Sequence, residues 1–376
     1  MGTRVINFYD NFKCLASECP NTCCRGWKIS IDDKTVSNYK SEGGKEGIRL
    51  FLTATFGKNK EVRKFFGRCA NETREGLCRL ELKGRKDLMP EVCRIYPRRS
   101  IQIGDDKEVT FELSCPMTAR LFLDNLDDLS LKEYQGDNID PVWIQDMFNE
   151  DYYKDILNVR DKVIDYINKD ILLPKVLSDL YHYFKRLYSH VLSQDVDIKT
   201  IPIVENSDKE KEYSYGFYSM SLIDKVIMND LSDGRFRSQD ALYDFSRKYN
   251  RIFGQMTVGE ADYYFDKKCK KMVEKYPELH KKYKAYLVYY LYQTLYSSYE
   301  SVTFYKEYLL GVVYLSILML TDVVDYINGM DLEDKDRQVN NLNNCEKRLR
   351  HNVSIKKRIS HRLDEEFTKE NEGYKF

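Results

Sequence analysis

The chain has 376 residues, long enough to bury a real core and, by size, to hold two domains rather than one. Its 60 basic and 60 acidic side chains cancel to a net charge of zero, so no global field draws it toward nucleic acid or an anionic membrane. A charged fraction of 32% together with 30 tyrosines suits a folded, largely helical protein with tyrosine-rich seams and argues against disorder.

The first eight residues have no apolar stretch followed by small residues, so no secretory signal is expected and the expected location is cytoplasmic. Gly2 does not read as a myristoylation site, because Ile6 stands where Ser or Thr is required. Trp27-Lys28-Ile29-Ser30-Ile31 alternates apolar and polar residues, the mark of a short half-buried strand. Asp32 and Asp33 offer N-cap chemistry for a brief helix through Tyr39, which the Gly43-Gly44 pair ends. Residues 46–67 mix Leu50, Phe51, Leu52, Phe56, Phe65 and Phe66 with Gly57 and lysines, and fit helix or loop equally. Gly67, Gly76 and Gly84 then let the chain turn back on itself. Residues 117–126 read as a helix, and an acidic stretch with Gly136 and Pro141 reads as a linker.

Helical periodicity follows through 142–169, 173–195, 219–231, 237–253, 258–275, 276–300, 301–328 and 333–370, with a polar break at 205–214 and no strand–helix alternation. The longest apolar run, 309–320, falls short of the roughly 20 residues that span a bilayer and reads as a buried helix. Tyr283, Tyr286, Leu287, Tyr290 and Leu291 keep helical spacing along one face. Such a stripe reads first as core; the alternative is a pocket whose aromatic faces attract a cation by roughly 0.5–2 kcal/mol. Lys347, Arg348, Arg350, Lys356, Lys357, Arg358 and Arg362 are flanked by Glu346 and by Asp364, Glu365 and Glu366, and read as a solvated helix face. The expected fold is therefore mainly α: a small, irregular, cysteine-rich metal-binding module over residues 1–125, then a multi-helix, tyrosine-rich all-α domain over 126–376.

Eight of the ten cysteines, Cys14, Cys19, Cys23, Cys24, Cys69, Cys78, Cys93 and Cys115, fall in the first third; Cys269 and Cys345 lie apart and read as small apolar core residues. Disulfides would fit this density only in an oxidising compartment. Metal ligation is the better reading. All five histidines (His182, His190, His280, His351, His361) lie outside the cysteine-rich region, which points to an all-thiolate set suited to tetrahedral zinc or to an iron-sulfur cluster. The spacings Cys14-x4-Cys19-x3-Cys23-Cys24 and Cys69-x8-Cys78-x14-Cys93-x21-Cys115 contain no C-x2-C knuckle, which tilts the choice toward iron-sulfur; Cys115 also precedes Pro116, a step found at the end of some ferredoxin motifs. A radical arrangement C-x3-C-x2-C fails because Gly26 occupies its third position. In extended backbone the adjacent Cys23 and Cys24 point to opposite sides, so either one of them is not a ligand or the eight thiols divide between two sites. The sequence leaves both open.

Phe12-Lys13-Cys14, Cys19-Pro20-Asn21-Thr22-Cys23-Cys24-Arg25-Gly26-Trp27-Lys28-Ile29-Ser30-Ile31-Asp32, the stretch from Cys69 to Cys78 with Gly76, Leu88-Met89-Pro90-Glu91-Val92-Cys93-Arg94-Ile95-Tyr96-Pro97-Arg98 and Leu113-Ser114-Cys115-Pro116-Met117-Thr118-Ala119-Arg120 together resemble the flagellin lysine N-methylase family. The resemblance rests on the first 120 residues. A wider group of cysteine-cluster proteins, regarded as zinc or iron chelators, shares only the cysteine core.

The resemblance implies methyl transfer from S-adenosylmethionine to lysine side chains of flagellin by a protein carrying an iron-sulfur cluster (4Fe-4S, with zinc as the alternative), all eight cysteines being candidate ligands. Arg25, Trp27, Arg94, Tyr96 and Arg98 flank the thiolates as candidates for tuning or holding the cofactor. No catalytic residue can be named: a lysine of reference pKa roughly 10.4 must lose its proton, with a tyrosine or carboxylate assisting. No Rossmann glycine turn is visible, since Gly43-Gly44-x-x-Gly47 lacks the required spacing. The non-enzymatic alternative is a chelator or carrier of iron or zinc. No membrane or nucleic-acid partner is expected.

Overall fold

The structure is a computed structural model that describes residues 2–26, 28–57, 60–103, 106–136, 139, 143–145, 150–193, 197–204, 215, 241–297, 304–352 and 355–363. Helices predominate, as expected. The chain divides into two units: Met1–Phe122 with Leu131–Gln145, and Leu123–Ser130 with Asp146–Phe376. The expected boundary at 125/126 falls in the short segment 123–130 that belongs to the second unit.

The first unit is less irregular than its composition suggests, because it is built on a five-stranded sheet. β1 (Thr3–Ile6) lies parallel to β7 (Asp106–Phe111), and β7 is antiparallel to β6 (Arg98–Ile103) in a register that pairs Ile103 with Asp106. β8 (Leu131–Glu133) closes one edge antiparallel to β1, and β9 (Trp143–Gln145) closes the other parallel to β6. The signal for the central hairpin was present in the sequence: two alternating runs, Arg98–Ile103 and Asp106–Phe111, flank Gly104-Asp105, a two-residue turn pattern. Where the periodicity predicts helix from 142, the chain instead makes β9 at 143–145 and helix begins at Glu150, because pairing with β6 overrides local preference.

The cysteine segments from Cys14 to Cys93 form one excursion between β1 and β6, two strands separated in the sheet only by β7. The excursion carries α1 (Asp33–Ser41), α2 (Gly44–Leu52), the paired strands β2 (Ala54–Phe56) and β3 (Lys60–Val62), the paired strands β4 (Lys64–Phe65) and β5 (Arg68–Cys69), α3 (Arg79–Leu82) and α4 (Glu91–Ile95). The strand expected at 27–31 is an extended segment beside β3, with Val62 N–H donating to the Ile29 carbonyl at 2.9 Å and Ile31 N–H to the Lys60 carbonyl at 2.8 Å; Trp27 lies outside the described residues. Asp32 caps α1 as expected, accepting from Thr35 N–H at 2.8 Å. Gly47 is required by space: a Cβ there would stand 1.9 Å from the Glu42 carbonyl oxygen. Ile29, Ile31, Val36, Tyr39, Leu50, Ala54, Val62, Leu80, Leu88 and Met89 form the core under this excursion.

The second unit is helical throughout its described elements. α5 (Pro116–Leu123) ends at its edge; α6 (Glu150–Asn168), α7 (Leu173–Ser193), α8 (Ala241–Phe253), α9 (Val258–Lys275), α10 (Glu278–Thr294), α11 (Phe304–Ile327) and α12 (Lys335–Asn344) follow. The helix expected at 219–231 and the polar break at 205–214 lie outside the described residues. The single helix expected over 333–370 is instead α12, a π-helical turn at Cys345–Arg350 and a further helical stretch at 355–363.

α11 is the spine of the unit, packed against α7, α8, α9, α10 and α12. It is long and apolar enough to cross a membrane, yet 83% of its most apolar window is buried within the protein, in keeping with the core reading of 309–320. Gly311 permits its close approach to α10, since a Cβ there would come within 2.7 Å of the Tyr290 ring.

Candidate metal centre

Cys23 and Cys24 occupy the centre of a turn closed by Arg25 N–H donating to the Thr22 carbonyl at 3.3 Å, not the extended backbone the sequence suggests. Cys24 packs against the core while Cys23 is exposed. Cys69 N–H donates to the Cys24 carbonyl at 3.2 Å, and an isolated bridge joins Arg25 to Arg68, so the turn is laid directly against β5. A second bridge joins Glu72 to Cys78, and Arg79 N–H donates to the Asn71 carbonyl at 2.8 Å, which folds Cys78 back over Cys69. Cys93 arrives on α4. Asp32 holds that helix through a carboxylate oxygen that accepts Glu91 N–H at 2.8 Å. Cys24, Cys69, Cys78 and Cys93 thus share one core cluster.

Cys14 and Cys115 are placed from the sheet. Phe12 packs on Phe111 with ring centroids 5.1 Å apart and Tyr9 stacks on Phe111 at 5.4 Å, which sets the start of the excursion beside the end of β7. Cys115 then opens α5, with Pro116 as its first residue, where the missing N–H costs nothing.

The sulfurs are met by backbone donors. Ala16 N–H points at Cys14 Sγ at 3.4 Å and Asn71 N–H at Cys69 Sγ at 3.4 Å. The Cys78 sulfur receives the N–H groups of Leu80 and Glu81, and the Cys115 sulfur those of Met117 and Thr118. Such donors favour sulfur as thiolate.

Burial works against charge. It pushes Cys78 and Cys115 up and, with the charges of Cys24 and Cys78, pushes Cys93 up to about 12. Cys24 moves down, because its sulfur accepts from the thiols of Cys23 and Cys69. Cys23 and Cys69 move up for the same reason, as donors to Cys24, with burial adding.

The Tyr39 hydroxyl is buried without a hydrogen-bond partner, and it lies in the field of Cys93, Cys69 and Cys78. An orphaned donor beside converging thiols fits an anionic group placed among them. All ten cysteines are unbridged. The donor chemistry therefore fits a thiolate-bound metal group.

Thiolates on one tetrahedral ion with bonds of about 2.3 Å stand about 3.8 Å apart. Among the described residues no three cysteine sulfurs lie mutually within 4.8 Å.

The flanking candidates separate in role. Arg25 donates to Glu72 at 2.9 and 2.5 Å, and Arg68 joins the same buried carboxylate at 3.1 Å, tying the Cys24 turn to the Cys78 loop. The Tyr96 hydroxyl bonds Ser114 Oγ at 3.1 Å, and its pKa is raised by burial, then by Cys115, with Cys23 also contributing. Arg98 lies over the rings of Tyr9 and Phe12 at 5.6 and 5.3 Å. Arg94 is exposed.

In the second unit, the tyrosine stripe is core, but it carries polar chemistry the stripe alone did not reveal. Lys282, 1% exposed, pairs with Asp322, to which Tyr283 donates at 2.8 Å. Glu346 accepts from Tyr286 at 2.6 Å and from Arg350 at 2.7 Å, and Arg350 lies over the rings of Tyr289 and Tyr290 at 5.3 and 5.2 Å. The cation in the aromatic seam is thus the chain's own, and Arg350 belongs to the core rather than to a solvated face. Only Glu346 and Arg350, one turn apart opposite the stripe, hinted at it.

No family model matches the chain, and no solved structure matches it. Among characterised proteins it is 25% identical over 135 residues to the flagellar biosynthetic protein FliU of Salmonella muenchen, covering 34% of this chain and 79% of that one. The same identity over the same length relates it to proteins named lysine-N-methylase from Salmonella choleraesuis and Salmonella typhimurium. The match covers only about a third of those two, at 33% of each. The cysteine-block resemblance and these relatives agree: over about a third of its length the chain is similar to proteins named lysine-N-methylase and to FliU.

Proposed function

We propose that this protein is a lysine N-methyltransferase that moves methyl groups from S-adenosylmethionine to flagellin lysines and carries an iron-sulfur group on its N-terminal thiolates. The observation that carries the methylase reading is the similarity to two lysine-N-methylases and to FliU. The observation that carries the metal reading is the convergence of Cys24, Cys69, Cys78 and Cys93 from four separate segments, with backbone N–H groups on two of these sulfurs and an orphaned Tyr39 hydroxyl beside them.

Four thiolates in a buried cluster repel one another, and bound cations offset that charge. Four thiolates from separate segments are a complete ligand set for an iron-sulfur cluster, with zinc as the alternative. Such a group would supply soft cationic charge and, if redox-active, an electron site. The chain's own residues do the rest: Asp32 and the Arg25–Glu72–Arg68 link fix the segments, and the Tyr39 hydroxyl and the backbone donors stabilise negative sulfur.

The test is to incubate anaerobically purified chain with methyl-labelled S-adenosylmethionine and flagellin and to map label on lysine. Label on flagellin lysines supports the proposal. A metal-loaded chain that transfers no label to flagellin refutes the methylase reading and leaves an iron or zinc carrier.

A further inference from the structure

A net charge of zero averages over the whole chain and conceals one place where exposed apolar and basic side chains meet. Among the described residues, eight of the twelve exposed large apolar side chains lie between Ile48 and Val92, on the excursion of the first unit. We propose that the β4–β5 hairpin at Phe65-Phe66-Gly67, with the outer face of α2 at its base, is a docking finger that inserts its two phenylalanines into the interfacial layer of an anionic lipid bilayer. The proposal goes beyond the methyltransferase reading and does not depend on it.

The finger is held in a costly conformation. β4 and β5 pair Lys64 with Cys69 and Phe65 with Arg68, which leaves Phe66 and Gly67 as a two-residue turn. Both have positive φ, 51° and 79°, the combination of a type I′ turn, for which Asn-Gly is a favoured pair. Gly67 adopts this freely. Phe66 does not, because its Cβ crowds the backbone in the left-handed region, and its side chain is fully exposed to solvent. At that exposure the ring makes no packing contact that could offset the strain. A Cβ added to Gly67 would meet no atom within 4 Å, so the tip stands clear of the fold. Strain at an exposed aromatic tip points to a use outside the fold.

The surroundings select the occupant. Near the finger, Arg25, Lys28, Lys60, Arg63, Lys64 and Arg68 outnumber Asp33, Glu61 and Glu72 by three. Each of these carboxylates is already ion-paired: Asp33 with Lys60, Glu61 with Lys28 at 3.3 Å, and Glu72 with Arg25 and Arg68 at 2.5 and 3.1 Å. The surplus positive charge attracts anions. Arg63 N–H donates to the Thr53 carbonyl at 2.8 Å, which brings the end of α2 to the base of the finger. There α2 turns Ile48 and Leu52 outward, and Phe51 lies against Phe56 with ring centroids 4.8 Å apart.

Strand rise sets Lys64 and Arg63 about 7 and 10 Å behind Phe66 along the chain. Apolar faces enter the headgroup boundary to a depth of roughly 5–10 Å, which places these cations at the level of the lipid phosphates when the rings are inserted. A protruding two-residue tip suits a deformable layer, whereas a protein partner would have to supply a pocket shaped to it.

The test is co-sedimentation of the full-length protein with vesicles of phosphatidylcholine alone and with vesicles of equal parts phosphatidylcholine and phosphatidylglycerol. Wild type should sediment with the anionic vesicles, stay in solution with the neutral ones, and be released as salt is raised. Phe66→Asn should weaken binding by about tenfold while unfolding in urea no earlier than wild type by tryptophan fluorescence, because Asn suits the turn. Lys64→Glu should weaken binding to the anionic vesicles through charge alone. Wild type that stays in solution with anionic vesicles overturns the proposal, as does equal binding to both vesicle types or a folded Phe66→Asn protein that binds as wild type does. Crosslinking to flagellin from a photo-reactive residue at position 66, without vesicle binding, would assign the finger to a protein partner and overturn the membrane reading.

Discussion

Replacing Asp32 separates two capping functions that one carboxylate performs. Its oxygens accept Thr35 N–H, the Thr35 hydroxyl and Glu91 N–H, each at 2.8 Å, so it caps its own helix α1 and, from across the excursion, the first turn of the helix that carries Cys93. Pro90, the residue before α4, offers no side-chain cap of its own. Asp32→Ala removes both caps: about 1 kcal/mol for the N-cap of α1, and about 1 kcal/mol for the charge-assisted bond to Glu91, whose surroundings let water replace it in part. The sum of about 2 kcal/mol lowers the melting temperature of a unit this size by roughly 4–16 °C.

Asp32→Asn keeps an acceptor for Thr35 N–H but cannot offer both oxygens, so it costs about half as much. The assay is already in the chain, because its two tryptophans, Trp27 and Trp143, both lie in the first unit and their fluorescence during urea unfolding reports that unit alone. Asp33, whose carboxylate meets only Lys60 at the surface, is the control. If Asp32→Ala and Asp33→Ala unfold at the same urea concentration, or if Asp32→Asn is as damaging as Asp32→Ala, the double-cap argument is wrong.

Tyr39→Phe removes a buried hydroxyl that has no partner in the protein, so stability should be unchanged or slightly higher, while the reduction potential of a bound cluster should fall as a donor to its sulfurs is lost; an unchanged potential would show that the hydroxyl does not reach the group. Gly311→Ala should cost about 1–3 kcal/mol by forcing α11 off the Tyr290 ring, measured by circular dichroism of the helical unit, and a neutral result would mean the helices can shift apart freely. Asp322→Ala should destabilise the same unit by about 3–5 kcal/mol because it strands the buried Lys282 ammonium, and Lys282→Met in the same chain should recover part of that loss.

Acid should act through Glu46, whose pKa is held down to about 2 by its bond to Arg49 against burial, with Lys83 assisting. A depressed carboxylate stabilises above its unfolded value of 4.5 and loses that stabilisation as pH falls toward about 2, so wild type should lose more stability than Glu46→Gln between pH 5 and pH 2.5; parallel curves would refute the linkage. Cys93→Ser should lose metal, whereas Cys345→Ser, buried beside Thr321 in the helical unit, should keep it.

Several elements were legible in the sequence because their causes are local. α9 runs over the predicted residues 258–275, since Thr257 and Glu260 form a capping box at its start and Pro277 follows its end. The α1 cap, the buried 309–320 run and the tyrosine stripe were read from spacing alone for the same reason. β1, β8 and β9 were not, because each has only three or four residues and no pattern of its own until a neighbour supplies its hydrogen bonds. The arginine at 350 looked solvated in sequence and is mostly covered in the fold, because its partners Glu346, Tyr289 and Gln293 come from two helices whose facing sides only packing reveals.

By itself, the sequence determined the donor chemistry: eight thiols, no histidine among them, and flanking blocks that resemble a methylase family. Which thiols meet was left to tertiary structure. The sheet sets β1 and β6 one strand apart and so closes the excursion, and the turn at Cys23-Cys24 packs Cys24 against a core that residues as distant as Cys93 join. Ligand type is a property of side chains, but their convergence depends on backbone contacts between segments far apart in the chain.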